Sequence, residues 1–197
     1  MLSLGPHPTT LLVVDLQQGF DAPVWGRRNN PHLEVRASEL LRVWRGTGRP
    51  VVHVRHMSTD SSSPLRPGQP GNEFKPETAP LAGEAVIEKR VNSAFIGTSL
   101  ENDLRHADCR GVVIVGLTTN HCISTTARMA GNLGFVTWVV SDATATFDRV
   151  GPDRQEYRAE QIHAIALSDL HGEFATVVDT AAVIAALQVP RSSRRTP

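Results

Sequence analysis

Residues 112–122 read VVIVGLTTNHC, a run that joins a predicted strand to a predicted helix. The first four residues form a continuous apolar segment typical of a strand that is buried on both faces, and a helix is predicted from about His121 to Leu133. The same alternation extends in both directions along the chain. Further strands are predicted at 11–15, 50–55, 85–88, 135–140 and 174–178, and further helices at 32–46, 99–106, 155–171 and 180–187.

Apolar strands separated by helices indicate an α/β fold with three α/β/α layers around a mostly parallel, six-stranded sheet. Residues 57–83 interrupt this pattern, because they are rich in Pro, Ser and Gly and too long for an ordinary connection. We expect a lid, a binding loop or a disordered segment there. We predict one domain over residues 1–187 and a flexible basic tail over residues 188–197.

Composition excludes several classes of function. The 197 residues are 40% hydrophobic, which suits one globular domain, and the formal net charge of +0 gives no electrostatic reason to bind nucleic acid or an anionic membrane surface. No apolar run approaches the roughly 20 residues that span a bilayer, and the first residues lack the features of a signal peptide. With two cysteines, Cys109 and Cys122, a disulfide scaffold is not expected. We therefore predict a cytoplasmic protein that binds neither nucleic acid nor a membrane.

Three reactive side chains fall at equivalent places in the predicted sheet. Asp15 ends the first strand, Lys89 follows the third, and Cys122 starts the helix after the fourth. Parallel strands bring these positions to the carboxyl edge of the sheet, where ligands bind in such folds. A helix N-terminus and Lys89 would favour the thiolate of Cys122, and Asp15 could accept a proton and return it. Each residue alone has an ordinary structural explanation, but their convergence on one edge indicates a cysteine nucleophile with two helpers.

Other chemical motifs are absent from the sequence. It contains no GxGxxG after the first strand, no GxxxxGK[ST], no GxSxG, no CxxC and no HExxH. His53 and His56 are three residues apart on a predicted strand, so they point to opposite faces and cannot chelate one metal together. We predict no metal and no cofactor. Of the 20 basic residues only Lys75 and Lys89 are lysines. A lysine at these two positions raises the question of what a compact ammonium does there that a forked guanidinium could not.

At this point five segments identify a family resemblance. They are 11–17 (LLVVDLQ), 88–98 (EKRVNSAFIGT), 115–128 (VGLTTNHCISTTAR), 141–146 (SDATAT) and 170–175 (LHGEFA), and they resemble isochorismatase-like cysteine hydrolases over about residues 10–187. The resemblance implies a Rossmann-like sheet with strand order 3-2-1-4-5-6 and a catalytic triad of Asp15, Lys89 and Cys122. It also implies a cis peptide between Leu117 and Thr118, and an oxyanion hole formed by the backbone N–H groups of Thr118 and Cys122. A homodimer or homotetramer is expected.

The resemblance also bears on the reaction. Metal-using nicotinamidases of this family carry Asp-x-His after the second strand, whereas this chain has His56-Met57-Ser58, which indicates the metal-independent amidohydrolase branch. Cys122 favours hydrolysis of a C–N bond in an amide, carbamoyl, ureido or lactam group through a thioester. Two alternatives stay open: a vinyl-ether hydrolase that uses Asp15 as acid, and a non-catalytic binding or redox-sensing module. Candidates for lining the substrate pocket are Gln17, Phe20, Trp25, His56 and Phe95.

Overall fold

The computed structural model describes Leu4 and residues 8–188. Its strands are β1 (Thr9–Val14), β2 (Val51–His56), β3 (Ala85–Lys89), β4 (Gly111–Leu117), β5 (Val136–Ala145), β6 (Arg149–Val150), β7 (Glu156–Tyr157) and β8 (Thr176–Val178). Its α-helices are α1 (Leu33–Gly46), α2 (Leu100–His106), α3 (Ser124–Asn132), α4 (Ala159–Leu170) and α5 (Thr180–Gln188).

The described strands form a six-stranded parallel sheet in the order β3-β2-β1-β4-β5-β8, with β6 and β7 as a separate antiparallel hairpin. This confirms the predicted fold and the predicted order 3-2-1-4-5-6, because β8 is the sixth strand of the main sheet in chain order. Strands β2 and β3 are added on one side of β1, and β4 and the strands after it are added on the other side. The direction in which the sheet grows therefore reverses between β1 and β4. Such a switch point opens a crevice at the carboxyl ends of the two central strands.

Alternate side chains of the central strands pack into two cores, which gives the predicted three layers. Leu11 and Val13 of β1 face the core under α1 and α5, and Leu12 and Val14 face the core under α2, α3 and α4. All four side chains have no exposed surface. Burying an aliphatic side chain of this size stabilises the fold by roughly 1.5–3 kcal/mol, so the sheet is held from both faces.

The hairpin of β6 and β7 was not predicted from the sequence. Val150 pairs with Glu156 and Arg149 pairs with Tyr157, so these residues are extended where the predicted helix 155–171 would begin. Helix α4 therefore starts at Ala159, after the hairpin has closed. Two-residue strands carry too little periodicity to be recognised in a sequence.

Strand β5 also continues beyond the predicted end at residue 140. The β4–β5 register shifts between Ile114 and Gly116, and pairing resumes at Thr144 after a bulge. The amide of Asn30 donates to the carbonyl oxygens of Ser141 and Thr144, at 2.8 and 2.7 Å, and so holds the bulged backbone. This extension carries the chain that follows β5 to the carboxyl edge of the sheet.

Residues 57–83 are tied to the segment that follows β1. Gln18 N–H donates to the carbonyl oxygen of Glu73, and Lys75 N–H donates to that of Leu16. The Lys75 ammonium is buried in ion pairs with Asp21 and Glu34. The segment forms two short 3₁₀ turns, Pro70–Asn72 and Pro76–Thr78, and closes one side of the carboxyl edge.

Gln188 closes α5, and the rest of the predicted basic tail, residues 189–197, lies outside the described residues. In the part of the chain that the structure describes, no helix combines the length and the apolar character needed to cross a membrane.

Candidate active site

Asp15 lies directly after β1, at the centre of the carboxyl edge. Its backbone has a left-handed φ of 54°, which Asp adopts more readily than most residues, and its side chain is fully buried. The neighbouring strand approaches closely here because Gly116 has no side chain: a Cβ atom at Gly116 would lie 1.8 Å from the carbonyl oxygen of Val14. The sequence thus brings the ends of β1 and β4 together, with Asp15 between them.

Lys89, the last residue of β3, has a buried ammonium with three partners. Nζ donates to Asp15 Oδ2 at 2.7 Å, and it lies 3.1 Å from His56 Nδ1 and 3.3 Å from Cys122 Sγ. An ammonium has three hydrogens, so these contacts use all of its donors. Burial opposes the charged form, but Asp15 and then Cys122 raise the pKa of Lys89 above its ordinary value. The ammonium is therefore charged at neutral pH.

Cys122 lies in a single π-helical turn, Thr119–Ile123, that precedes α3. The turn is closed by a bond from the N–H of Ile123 to the carbonyl oxygen of Thr118. Burial raises the pKa of the Cys122 thiol, Asp15 raises it further, and Lys89 lowers it, with a net increase. The resting form is thus a thiol. Burial and the Asp15 carboxylate thus oppose the thiolate that the helix N-terminus and Lys89 were expected to favour.

Asp15 retains one unused oxygen. Oδ2 accepts from Lys89, whereas Oδ1 is buried and accepts no hydrogen bond within the described part of the chain. A buried carboxylate oxygen without a donor carries a desolvation cost unless a reacting group uses it. Oδ1 is therefore suited to accept a proton from a group that enters the site or from the neighbouring thiol.

His56 is held by its backbone on the far side of Lys89. Its N–H donates to Gln17 Oε1 at 2.8 Å, and its carbonyl oxygen accepts from Gln17 Nε2 at 3.1 Å and from Asn72 Nδ2 at 2.9 Å. Since the Lys89 ammonium donates, Nδ1 of His56 accepts and the ring is neutral. Burial and then the Lys89 charge lower the pKa of His56, against an opposite effect of Asp15.

Asp15, His56 and Cys122 could by themselves hold a metal ion, because one ligand atom from each lies within 4.8 Å of the others. Lys89 Nζ, however, contacts the same three side chains. A divalent cation and an ammonium cannot share this position. With Lys89 in place, the residues present do not fit a metal.

A cavity of about 240 Å³ opens beside Thr118. The rings of Trp25 and Phe147 lie 5.9 Å apart and form an apolar wall. The lining also contains His121 and Arg149, with Arg149 Nη1 donating to His121 Nε2 at 3.0 Å. The structure thus places a small amphipathic cavity next to the predicted oxyanion hole. The peptide bond between Leu117 and Thr118 is cis, as predicted.

The predicted pocket residues lie in different parts of the structure, some at the cavity and others in the core. Trp25 lines the cavity. Phe20 is buried and packs against the Trp25 ring, with ring centroids 5.3 Å apart. Gln17 is fully buried and its amide binds backbone groups, as described above. Phe95 is buried against Phe135 at 6.0 Å in the core beneath α2 and α3. A role for Gln17 or Phe95 in substrate binding stays a prediction.

Several residues near the site were not predicted. Asn92 Oδ1 lies 3.9 Å from Cys122 Sγ, and Asn92 is exposed. The sequence offered one indication of a role for Asn92: it follows Lys89 by three residues, in a segment that carries the family resemblance. His121, Phe147 and Arg149 line the cavity. Phe147 and Arg149 follow the bulged end of β5, which no sequence periodicity indicates.

With this geometry in place, comparison with known proteins defines the family. The isochorismatase domain model matches residues 9–182. The isochorismatase family protein YrdC of Bacillus subtilis is 45% identical over 170 residues, which cover 86% of this chain and 91% of the relative. The chain belongs to the isochorismatase family of hydrolases.

Solved structures agree with this assignment. A Chromobacterium violaceum protein of the isochorismatase family superposes with a TM-score of 0.91 at 43% identity, covering 94% of this chain and 96% of that chain. N-carbamoylsarcosine amidase from Thermoplasma acidophilum superposes with a TM-score of 0.68 at 27% identity, covering 87% of this chain and 96% of that chain. The family resemblance predicted from the sequence is confirmed.

Proposed function

We propose that this protein hydrolyses a C–N bond of a small amide, carbamoyl, ureido or lactam compound, with Cys122 as nucleophile, Asp15 as acid and base, and Lys89 as the cation between them. One observation carries the proposal: the buried Lys89 ammonium contacts both the Asp15 carboxylate and the Cys122 thiol, while Asp15 Oδ1 stays free. An amidase among the structural relatives supports C–N chemistry.

The raised pKa of Cys122 makes a base necessary for the first step. Sγ attacks the carbonyl carbon of the substrate while its proton moves to Asp15 Oδ1. The tetrahedral intermediate then collapses, the C–N bond breaks, and Asp15 returns the proton to the leaving nitrogen. This produces a thioester on Cys122 and a free amine or ammonia.

The second half of the reaction repeats the same proton route. Water adds to the thioester carbonyl while Asp15 accepts one of its protons. The C–S bond breaks, the carboxylic acid leaves, and the proton returns to Cys122. Lys89 remains charged throughout and stabilises whichever neighbour is negative, Asp15 or Cys122. In both halves, the backbone N–H groups of Thr118 and Cys122 would bind the developing oxyanion.

We assign His56 a positioning role instead of substrate contact. Its Nδ1 is the third acceptor of the Lys89 ammonium, and its backbone is clamped by Gln17 and Asn72. His56 thus fixes the direction from which the ammonium reaches Asp15 and Cys122.

Turnover of an amide and ureide panel, measured as released ammonia or amine, tests the proposal. Cys122→Ala should abolish turnover, whereas Cys109→Ala should retain it. Cys109 is a matched control because it is also buried but lies before β4, where its thiol contacts Thr10 and the carbonyl oxygen of Gly111. A Cys122→Ala variant with full activity would refute the cysteine mechanism and would instead favour the vinyl-ether alternative, in which Asp15 alone protonates the substrate.

We also propose that the protein is a homodimer or homotetramer. Val24 and Val150 line the cavity and are 74% and 66% exposed, so apolar surface flanks the mouth of the site. Contact with a second copy would bury it. Light scattering at micromolar concentration should give a multiple of the chain mass, and a monomer there would count against the proposal.

A further inference from the structure

Helix α4 presents a histidine to the π-helical turn that carries Cys122. Thr119 Oγ1 and His163 Nδ1 lie 2.8 Å apart and share a hydrogen bond, although 44 positions separate them in the chain. His163 lies at helical spacing from the buried residues of α4, which are Ala159, Ala166, Leu167 and Leu170. A polar ring thus occupies a position where the helix otherwise buries apolar side chains, and the reaction proposed above does not use it.

The Thr119 hydroxyl depends on His163. Thr119 has no exposed surface, and in the described part of the chain its hydroxyl has no other hydrogen-bond partner. A buried hydroxyl without a partner is unfavourable, so this bond holds the Thr119 side chain against α4. The N–H of Ala159 in turn donates to Asp148 at 2.7 Å, which fixes the first turn of α4.

Thr119 begins the π-helical turn directly after Thr118. The carbonyl oxygen of Thr118 accepts from the N–H of His121 at 3.0 Å and from that of Ile123 at 3.2 Å, so Thr118 is held on the side of the turn. The bond to His163 holds the next residue from the side of α4. A shift of Thr119 would displace Thr118 and, with it, one of the two proposed oxyanion donors.

We propose that His163 is a positioning residue for the oxyanion hole, an assignment that rests on the proposed function. By holding Thr119, His163 keeps the N–H of Thr118 where it can bind the oxygen of a tetrahedral adduct on Cys122. Removal of the bond should therefore weaken the binding of that oxygen and leave the thiol itself reactive.

Two reactions at Cys122 separate an effect on the oxyanion hole from an effect on the thiol. Propanal adds reversibly: Sγ bonds to the carbonyl carbon, the carbonyl π bond breaks, and the thiol proton moves to the oxygen, which then lies where an oxyanion would form. Iodoacetamide alkylates Sγ with loss of iodide and a proton, and no tetrahedral adduct forms. NMR of carbonyl-labelled propanal identifies the thiohemiacetal, and protection of Cys122 from iodoacetamide measures its affinity.

Three substitutions test the bond between His163 and Thr119. His163→Phe keeps a planar ring without the nitrogen, and it should weaken propanal binding about tenfold while changing the alkylation rate by less than about twofold. Thr119→Val removes the hydroxyl at nearly constant shape and should have a similar effect, with no further loss in the double variant. His163→Asn places a hydrogen-bonding atom close to the position of Nδ1 and should recover most of the affinity.

His171→Phe is the matched control. His171 ends the same helix, and its Nδ1 accepts from the N–H of Val177 at 3.0 Å, at the edge strand β8 instead of the π-helical turn. The control substitution removes a comparable bond and should leave both reactions within about twofold of the unsubstituted protein.

The outcomes separate the positioning role from the proposed reaction. Unchanged propanal binding in His163→Phe and Thr119→Val, equal losses in both reactions, or no recovery in His163→Asn would overturn the role of His163. So would a failure of the unsubstituted protein to bind propanal, whether or not iodoacetamide labels Cys122. If His163→Phe does not fold, unchanged propanal binding in Thr119→Val alone would overturn it. A loss in His163→Phe that His163→Asn restores, in a protein that hydrolyses no C–N substrate, would support the role of His163 and refute the proposed reaction.

Discussion

Lys89→Met should destabilise the protein strongly, and a second substitution at Asp15 should reverse part of the loss. Methionine keeps a long apolar stem but removes the ammonium. Asp15 would then be a buried carboxylate without a cation, since both side chains of the pair are fully buried.

The magnitude follows from the geometry. At the 2.7 Å between Lys89 Nζ and Asp15 Oδ2, two unit charges attract by about 6 kcal/mol at an effective dielectric constant of about 20. Removing both ions from water costs several kcal/mol each, so the intact pair adds little to stability. Loss of one partner leaves the cost of the other uncompensated. We therefore expect Lys89→Met to lower the free energy of unfolding by about 3–5 kcal/mol.

The double variant Asp15→Asn/Lys89→Met contains no unpaired buried charge. It should be more stable than Lys89→Met alone, and the coupling energy of the cycle should be about 2–3 kcal/mol. Urea unfolding followed by circular dichroism near neutral pH measures the free energy of unfolding of the unsubstituted protein, of Asp15→Asn, of Lys89→Met and of the double variant. The matched control is the cycle of Asp108→Asn and Arg110→Met, whose side chains are 79% and 65% exposed, and its coupling should stay below about 0.5 kcal/mol.

Two results would refute this reasoning. One is a loss below about 1 kcal/mol for Lys89→Met, which would mean that water or another group solvates Asp15. The other is a coupling energy no larger than that of the exposed pair. If Lys89→Met does not fold and the double variant does, the coupling is larger than expected and the argument stands. If neither Lys89→Met nor the double variant folds, the unpaired charge of Asp15 is not the cause of the lost stability.

Three further predictions concern protonation and metals. The alkylation rate of Cys122 should rise by about tenfold per pH unit through its ordinary thiol range without a plateau near pH 8.5, because its pKa is raised; a plateau there would contradict this. Burial lowers the pKa of His53, His56, His121 and His163, so the unfolded chain takes up protons first. The free energy of unfolding should be fully present above about pH 6.5 and fall below it by up to about 1.4 kcal/mol per pH unit for each ring; urea curves that coincide from about pH 7.5 to about pH 5.5 would exclude this. Activity should persist in EDTA, because an ammonium already contacts all three candidate metal ligands, and loss in chelator that zinc restores would show the opposite.

The sheet could be predicted from the sequence because its strands have a strong local signal. Uninterrupted Val, Ile and Leu runs such as 112–115 are buried on both faces, and burial of each side chain favours the same pairing. The position of Asp15, Lys89 and Cys122 at one edge followed from the parallel arrangement alone. Their contact distances did not, since these depend on the close approach of β1 and β4 at Gly116.

The cavity wall could not be predicted in the same way. Phe147 and Arg149 reach the site because β5 bulges and continues to Ala145, and the bulge is held by the side chain of Asn30, more than a hundred residues away in sequence. Such a long-range bond has no local pattern. His56 was a candidate for lining the pocket, but no sequence pattern indicates its contact with Lys89, because its backbone is held by the side chains of Gln17 and Asn72.

The two lysines show why residue type matters more than charge in this chain. Eighteen of its 20 basic residues are arginines, yet both buried ammonium groups are surrounded by several acceptors: Asp21 and Glu34 around Lys75, and Asp15, His56 and Cys122 around Lys89. An ammonium directs three hydrogens from a single atom, whereas a guanidinium is planar and needs acceptors spread along its fork. Three acceptors at 2.7–3.3 Å from one point therefore select lysine. The same point is where a metal would bind, so the ammonium supplies a fixed positive charge between Asp15 and Cys122 without a metal ion.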